Sequence, residues 1–334
     1  MTATQGRRQL VVLRALGLGD LLTGVPALRG VRRAFPRHRI VLALPAKLAE
    51  AALATGAVDD VLAAEAPDRG VPWLDDWPGP PPDVAIDLHG NGPESRDALA
   101  ALAPRQLLAY AQQDPVPART PVWRPDEHER ERWCHFLGVY GIPADPDDLQ
   151  LSRPAAASPA PGAVVIHPGA QSTARRWPAE RYAEVAWRLR SARHHVVITG
   201  GPKEDALAMD VAGLAGLPAS DVLRGGLPFG VLSALVADAA LVVSGDTGLA
   251  HLAVAYGTPS LTLFGPVSPR LWGPPLDPRH RALWKGGPPG DPHDHVPNPQ
   301  LLRIETDEVT TVALTLLHTR PATMPPGRTA LKRR

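Results

Sequence analysis

Short, continuous apolar runs of strand length recur along the chain, and helix-like segments separate them. In the first half these runs cover residues 10–14, 40–44, 58–63 and 84–88. They are continuous rather than alternating, which is typical of strands that are buried on both faces of a parallel sheet. Strands that alternate with helices in this way predict an α/β fold with a parallel sheet.

The second half of the chain repeats this pattern. Its apolar runs cover residues 163–167, 195–199, 240–243 and 260–264. The clearest helix is predicted over residues 178–192, because Pro178 suits a first helical position and apolar side chains recur at helical spacing after it. A final helix is predicted over residues 306–318.

The chain divides most naturally near residue 155. Its 334 residues are about twice the usual domain size of roughly 150, and the proline-rich stretch 143–161 lies between the two sets of apolar runs. We therefore expect one domain over residues 1–155 and a second over 156–320, with the option that the last helix packs back on the first domain. Residues 321–334 are expected to form a loose tail.

Charge and cysteine content exclude several classes of protein. The chain has 35 Lys and Arg against 34 Asp and Glu, far from the concentrated positive charge that nucleic acids and anionic membranes attract. Nucleic acid is therefore not expected as a partner, and peripheral membrane contact stays open. The lone Cys134 excludes an internal disulfide, and no apolar stretch approaches the roughly 20 residues of a membrane span. We expect a soluble, cytoplasmic protein.

Ligands of open α/β sheets bind at the carboxyl ends of the strands, so the residues after each apolar run are the candidates for chemistry. The first run is followed by Gly17-Leu-Gly19-Asp20 and then by a helix-like segment. The third glycine of a dinucleotide fingerprint is missing, which disfavours an oxidoreductase. Asp20 is either a helix cap or a general base, because a helix start favours the charged form of a carboxylate.

A second candidate follows the run at 240–243. Residues 244–251 read Ser-Gly-Asp-Thr-Gly-Leu-Ala-His and are predicted to begin a helix over 247–256. Free N–H groups at such a start bind anions, Gly248 would let a diphosphate approach the backbone, and Thr247 adds a hydroxyl donor. The alternative is an ordinary cap made by Asp246 and Thr247 with a half-buried His251.

Further candidates follow other strands. The run ending at His167 leads into a loop of small residues, Gly169 among them, with two arginines that could bind phosphate; alone, Arg175 and Arg176 would be taken for surface groups. Gly200, which follows the next strand, leaves room for a ligand there.

His89 and Asn91 follow the run at 84–88 and could contact an acceptor, or could belong to a simple turn. The acidic loop with His293 and His295 is not expected to bind metal.

The motifs above together resemble glycosyltransferase family 9. The resemblance rests on Leu13-Arg-Ala-Leu-Gly-Leu-Gly-Asp20 with Pro26, Asp87-Leu-His-Gly-Asn91, His167-Pro-Gly-Ala170, Arg176-Trp-Pro178 and Gly245-Asp-Thr-Gly-Leu-Ala-His251 followed by Gly257-Thr-Pro-Ser260. These pieces occur in order from residue 10 to about residue 318. The best-known members of this family are ADP-heptose:lipopolysaccharide heptosyltransferases.

The resemblance implies a GT-B architecture of two facing Rossmann-like domains, with an interdomain cleft, and sugar transfer with inversion. Because helix N–H groups and a guanidinium can stabilise the diphosphate leaving group, we expect no metal or cofactor. Asp20 would be the catalytic base. The donor, ADP-heptose by this resemblance, would bind the second domain at His167, Gly169, Arg175 or Arg176, Gly200, Asp246, Thr247, Gly248 and His251. An acceptor, a glycan or a small molecule, would bind near Gly19, His89 and Asn91 in the first domain.

Two alternatives stay open. One is a GT-B relative that hydrolyses or epimerises a nucleotide sugar, and the other is a non-catalytic nucleotide-sugar-binding protein. The family often has Lys where this chain has Ala174-Arg175-Arg176, so the sequence leaves open which arginine contacts the diphosphate. It also leaves the acceptor open, because fold resemblance does not identify a substrate.

Overall fold

The structure is a computed structural model that describes residues 8–67, 70–112 and 120–319; the predicted loose tail 321–334 lies outside the described residues. Within them, the first half forms a five-stranded parallel sheet in the order β3-β2-β1-β4-β5. Its strands are β1 (Gln9–Leu13), β2 (Arg39–Leu44), β3 (Asp60–Ala63), β4 (Val84–Asp87) and β5 (Gln106–Leu108). Its helices are α1 (Leu18–Ala34), α2 (Ala49–Ala54), α3 (Pro93–Ala100) and α4 (Glu129–Val139).

The second half, as far as it is described, forms a six-stranded parallel sheet in the order β11-β10-β9-β6-β7-β8. Its strands are β6 (Val164–His167), β7 (Val196–Thr199), β8 (Val222–Leu223), β9 (Leu241–Gly245), β10 (Ser260–Leu263) and β11 (His280–Leu283). Its helices are α5 (Ala179–Ser191), α6 (Asp205–Leu214), α7 (Phe229–Ala237), α8 (Gly248–Tyr256), α9 (Pro269–Trp272), α10 (Pro299–Leu302) and α11 (Thr306–His318).

The central strands explain why continuous apolar runs predict this fold. Residues 10–13 of β1 and all of β9 are buried, because helices cover both faces of each sheet. The prediction of two parallel α/β sheets is confirmed. The sheets lie on either side of residue 155, so they are compatible with the predicted domain boundary.

Each sheet has a point at which the strand order reverses. In the first sheet this point lies between β1 and β4, and in the second between β6 and β9. The loops that follow the two strands on either side of such a point leave the sheet in opposite directions, and this opens a crevice at the carboxyl ends of those strands. Asp20 follows β1, and Asp246 follows β9. Both residues therefore lie where an open α/β sheet binds ligands.

Helix α11 packs on the second sheet. Val309, Ala313 and Leu316 are buried in the same apolar cluster as the residues of β6, β9 and β10. The option that this helix packs back on the first domain is therefore wrong, because its apolar face is already covered by α5 and the strands β9 and β10. Among the described helices, none is both long and apolar enough to cross a membrane.

The starts of α1 and α8 touch each other, and this contact brings the two halves together. A Cβ atom on Gly248 would lie 2.9 Å from Cβ of Leu18, and one on Gly19 would lie 2.9 Å from Cδ2 of His251. Real Cβ atoms do not approach other atoms so closely. Glycine at both positions therefore permits the two helix starts to meet.

Candidate functional site

A cavity of about 560 Å³ lies where the helix starts of α1 and α8 meet. Residues of both halves line it. From the first half come Gly17, Leu18, Gly19, Asp20, Lys47 and Leu48; from the second come, among others, His167, Arg175, Gly200, Asp246, Thr247, Gly248, His251 and Trp272. Most of the residues predicted from positions after strands are thus brought to one cavity.

Asp20 lies in the first turn of α1 and lines the cavity. Its Oδ2 accepts a hydrogen bond from the backbone N–H of Gly17 at 3.0 Å, and only 9% of the residue is exposed. The predicted capping contact is therefore present. A carboxylate that is held by the helix start and also lines a cavity can accept a proton from a bound hydroxyl, so the cap and the base are compatible roles.

A buried charge network that the sequence analysis missed lies behind Asp20. The guanidinium of Arg14 donates to the backbone oxygen of Asp20 at 2.6 Å and to Oε1 of Glu129 at 3.0 Å. Burial alone would raise the pKa of Glu129, but Arg14, Trp133 and Arg132 together lower it below its usual value. The sequence feature that could have revealed this network is Arg14 itself, a charged residue that directly follows the buried strand Gln9–Leu13.

The start of α8 offers hydrogen-bond donors to the cavity. Thr247 is the N-cap residue in an extended conformation, and Gly248 begins the helix. The first N–H groups of a helix have no partner within the helix, so they can bind an anion. Oγ1 of Thr247 is buried and has no hydrogen-bond partner among the described residues. A buried hydroxyl without a hydrogen-bond partner destabilises the folded state, and a ligand that accepts a hydrogen bond from Thr247 would remove this destabilisation.

The structure distinguishes the two candidate arginines. Arg175 lines the cavity, and its guanidinium lies 3.7 Å from Oδ2 of Asp246. Arg176 does not line the cavity; its Nε donates to the backbone oxygen of Ala170 at 2.9 Å, and 39% of its side chain is exposed. Of these two arginines, Arg175 is therefore the one that can reach a ligand in the cavity.

Burial perturbs the pKa values of two titratable side chains that line the cavity from the second half of the chain. Burial raises the pKa of Asp246 to about 6, Arg175 opposes that rise, and Asp20 adds to it. Burial also lowers the pKa of His251 to about 4, helped by the nearby His128, Arg130 and Arg175. Nε2 of His251 lies 3.9 Å from Oδ1 of Asp246. At neutral pH the imidazole is therefore uncharged and the Asp246 carboxyl is close to its titration range.

His167 and Gly200 line the cavity beside a residue that the sequence analysis missed, Glu204. Nδ1 of His167 lies 3.0 Å from the backbone oxygen of Thr199, which indicates that this nitrogen donates its proton. Oε2 of Glu204 accepts the N–H of Gly201 at 2.7 Å and lies 3.9 Å from Nε2 of His167.

Gly169 does not line the cavity but lies beneath Glu204. A Cβ there would lie 2.1 Å from Oε2 of that residue. The absence of a side chain at Gly169 therefore makes space for the Glu204 carboxylate rather than for a ligand.

Two predicted acceptor residues, His89 and Asn91, do not line the cavity. Nδ1 of His89 accepts the N–H of Ala15 at 3.2 Å, so its ring fixes the loop after β1. Asn91 is exposed, and its backbone oxygen accepts a hydrogen bond from Gln112. Gly19, the third predicted acceptor residue, does line the cavity.

Other lining residues come from segments without a legible motif. Lys47 is an exposed cation after β2, and the indole of Trp272 meets the ring of His251 edge to face, with centroids 6.0 Å apart. Pro292 and His293 also line the cavity. They belong to the stretch 286–299, whose Asp294 backbone oxygen accepts from Oγ of Ser172 at 2.8 Å. This stretch therefore borders the cavity.

Comparison with known sequences identifies relatives. The model of the family described as glycosyltransferase family 9 (heptosyltransferase) matches residues 105–295. Lipopolysaccharide heptosyltransferase 2 of Escherichia coli (strain K12) is 33% identical over 191 residues, which cover 55% of this chain and 49% of that protein. The chain spans between 33% and 53% of the length of the first three curated heptosyltransferases that it matches.

Comparison with solved structures shows the same fold. The structure of E. coli ADP-heptose lps heptosyltransferase II superposes with a TM-score of 0.72 at 20% identity, over 92% of this chain and 98% of that one. E. coli heptosyltransferase WaaC with ADP-2-deoxy-2-fluoro heptose gives a TM-score of 0.62 at 19% identity, over 91% and 98%. These similarities confirm the predicted GT-B fold of two parallel-sheet domains.

Proposed function

Because the chain belongs to glycosyltransferase family 9, we propose that it transfers a sugar, heptose from ADP-heptose, to an acceptor hydroxyl with inversion at the anomeric carbon. The observation that carries this proposal is the arrangement of one cavity: Asp20 lines it from the first half, and Arg175 and the start of α8 line it from the second. A carboxylate and a set of groups suited to bind an anion thus line one cavity.

Asp20 is the proposed general base. In an inverting transfer the acceptor oxygen attacks the anomeric carbon from the face opposite the diphosphate, and the bond to the diphosphate oxygen breaks. The acceptor proton passes to the Asp20 carboxylate. Arg14 supports this role, because its hydrogen bond to the backbone oxygen of Asp20 fixes the first turn of α1.

The donor diphosphate is proposed to bind at the start of α8. The N–H groups there, the hydroxyl of Thr247 and the guanidinium of Arg175 would face its oxygens, and Gly248 leaves the backbone accessible. The leaving ADP gains negative charge as its bond to the sugar breaks, so these groups stabilise the transition state more than the ground state. A bound ADP-heptose analogue in the structural relative WaaC supports this choice of donor.

We also propose that transfer needs no metal ion or cofactor, because Arg175 and the helix N–H groups supply the positive charge that a divalent cation supplies elsewhere. We expect turnover to be unchanged by excess EDTA. The measurement is the rate of ADP release with and without the chelator. A loss of activity that Mg²⁺ or another divalent cation restores would contradict the proposal.

The acceptor is proposed to be a glycan or a small molecule with a free hydroxyl. The names of the curated relatives point to lipopolysaccharide for those proteins. We also propose that the reaction takes place in the cytoplasm, where a free thiol such as that of Cys134 stays reduced.

A product assay tests the proposed function. The protein is incubated with ADP-heptose and a panel of glycan and small-molecule hydroxyl acceptors, and NMR determines whether a sugar–acceptor product forms and which anomer it is. Binding of ADP is measured by calorimetry in parallel. We expect ADP to bind and an inverted product to form. Free heptose as the sole product would indicate a hydrolase, and failure of any nucleoside diphosphate to bind at millimolar concentration would contradict the donor site.

A further inference from the structure

We propose that His128 is a positioning residue for the donor site: it holds Gly273, and through it Trp272, in place beside His251. This inference rests on the proposed function, because it assigns the cavity to a nucleotide-sugar donor. His128 does not line the cavity itself. It precedes α4, a helix that packs on α1 and contributes Trp133 to the core of the first sheet. Gly273 belongs to the second half. The contact therefore joins the two halves of the chain.

The two ring nitrogens of His128 have different partners. Nδ1 accepts the backbone N–H of Arg130 at 3.2 Å, so His128 is the N-cap of α4. Because this nitrogen accepts, the ring proton of the neutral imidazole lies on Nε2, which is 3.0 Å from the backbone oxygen of Gly273. Nε2 therefore donates to Gly273, and the two contacts can be separated by mutation.

The segment that His128 contacts is held by hydrogen bonds at both of its ends. The short helix α9 is capped at its start by Oγ of Ser268, which accepts the N–H of Arg270 at 3.2 Å. At its end the N–H of Gly273 donates to the backbone oxygen of Pro269 at 2.7 Å. A Cβ on Gly273 would lie 2.3 Å from that oxygen, so only glycine fits this turn. Fixing the Gly273 oxygen therefore also fixes the adjacent Trp272.

Trp272 transmits this contact to the cavity. Its indole lines the cavity, and its ring plane makes an angle of 63° with the ring of His251. Such an edge-to-face contact restrains the orientation of both rings. His251 lies in turn 3.9 Å from Asp246. A single hydrogen bond from the first half thus supports a wall of the proposed donor site.

The residue after His128 supports the other side of the cavity. Glu129 accepts from Arg14, and Arg14 donates to the backbone oxygen of Asp20. The start of α4 therefore contacts both Arg14, which supports the proposed base, and Gly273, which supports the proposed donor site. Loss of the Nε2 contact alone should weaken donor binding without changing the support of Asp20.

Two substitutions separate the roles of His128. His128→Asn keeps a side-chain oxygen that caps α4, because Asn is among the best N-cap residues, but its side chain is too short to reach Gly273. His128→Gln places an amide N–H close to the position of Nε2 but caps the helix poorly. The second variant is the matched control for the first.

The test measures the Kd of ADP-heptose by calorimetry and the melting temperature for the wild type and both variants. We expect His128→Asn to melt like the wild type and to bind ADP-heptose about 5- to 10-fold more weakly, as for the loss of one hydrogen bond. We expect His128→Gln to melt at a lower temperature and to bind within about twofold of the wild type. In a Trp272→Ala background, His128→Asn should cause no further loss of affinity, because the contact acts through Trp272.

The outcomes distinguish this inference from the proposed function. An unchanged Kd for His128→Asn, or a loss of affinity that follows the melting temperature in both variants, would overturn the positioning role while leaving the proposed function intact. Additive losses in the His128→Asn and Trp272→Ala double variant would also overturn it. Failure of the wild type to bind ADP-heptose would instead overturn the proposed function, and this inference with it.

Discussion

The pKa of Asp246 depends on a second carboxyl group in the cavity, that of Asp20. The charge of Asp20 adds to the rise in the pKa of Asp246 that burial causes, and Arg175 offsets only part of that rise. A buried carboxylate near a second carboxylate destabilises the folded state. Such a group is maintained at a cost in stability, which is common in ligand-binding sites.

Asp246→Asn should therefore stabilise the protein at high pH. The pKa of Asp246 is about 6 in the folded state, against about 4 in an unfolded chain. The folded state holds the proton more tightly, so the free energy of unfolding of the wild type falls as the pH rises from about 4 to about 6. We expect the variant to be more stable by about 1–3 kcal/mol at pH 8. Urea unfolding from pH 3.5 to 8 measures this.

The advantage of the variant should vanish below about pH 4, where both states of the wild type are protonated. A stability difference between Asp246→Asn and the wild type that does not depend on pH would show that Asp246 is not buried as a carboxylate. ADP-heptose binding to the variant should be weaker, since the side chain lines the proposed donor site.

Arg175 and Arg176 form a matched pair for the donor site. Arg175→Ala should weaken ADP binding by about 10- to 100-fold, because a charge-assisted hydrogen bond to phosphate is lost. Arg176→Ala should change the Kd by less than about threefold, since this arginine does not line the cavity. Calorimetric titration with ADP measures both. Equal losses for the two variants would contradict the assignment of Arg175.

Site residues could be predicted from the sequence where they lie at the carboxyl end of a strand or soon after it. His167 ends β6, Asp246 directly follows β9, and Asp20 lies in the first turn of the helix after β1; all three line the cavity. Glu204 and Trp272 could not be predicted, because they reach the cavity from a helix start and a short helix that only tertiary packing places there. His89 follows a strand but binds the loop at Ala15 instead, and no sequence pattern distinguishes these two outcomes.

At the scale of elements, the contact between the starts of α1 and α8 determines the shape of the cavity. Gly248→Ala places a Cβ 2.9 Å from Cβ of Leu18, so the two helix starts must separate. We expect a loss of about 1–3 kcal/mol in stability and weaker ADP-heptose binding. Thermal unfolding and calorimetry measure the two effects.

Gly138→Ala is the control for this prediction. Gly138 is an exposed residue within α4 with nothing within 4 Å of a Cβ, so alanine there should be neutral or should stabilise by up to about 1 kcal/mol. If Gly248→Ala were as well tolerated as Gly138→Ala, the close approach of the two helices would be wrong.

The central strands were predictable from the sequence, whereas three of the four edge strands in the described residues were not. The apolar runs at residues 10–14 and 260–264 coincide with β1 and β10, since strands at the sheet centre are apolar on both faces. The edge strands β5, β8 and β11 were missed. β8 has two residues, and Gln106 in β5 is exposed, so neither produces a continuous apolar run.

At the scale of the whole molecule, the sequence predicts two parallel sheets but not which surfaces of the two halves meet. The meeting point depends on glycines at positions 19 and 248, and on contacts such as that between His128 and Gly273, which join residues distant in sequence. The last helix illustrates the same limit. Its apolar face could suit either sheet, and only the structure shows that it packs on the second.

The central claim is that both halves of the cavity act in one reaction, with Asp20 as the base for a donor held by the second half. Single-turnover sugar transfer from ADP-heptose, compared between the wild type and Asp20→Asn, tests this most directly. Asn keeps the size of Asp and an oxygen that can accept the N–H of Gly17, but it cannot take the acceptor proton. We predict a rate about 10²- to 10⁴-fold lower, with ADP-heptose affinity and melting temperature nearly unchanged. Near-normal turnover by a folded, donor-binding Asp20→Asn variant would contradict the account.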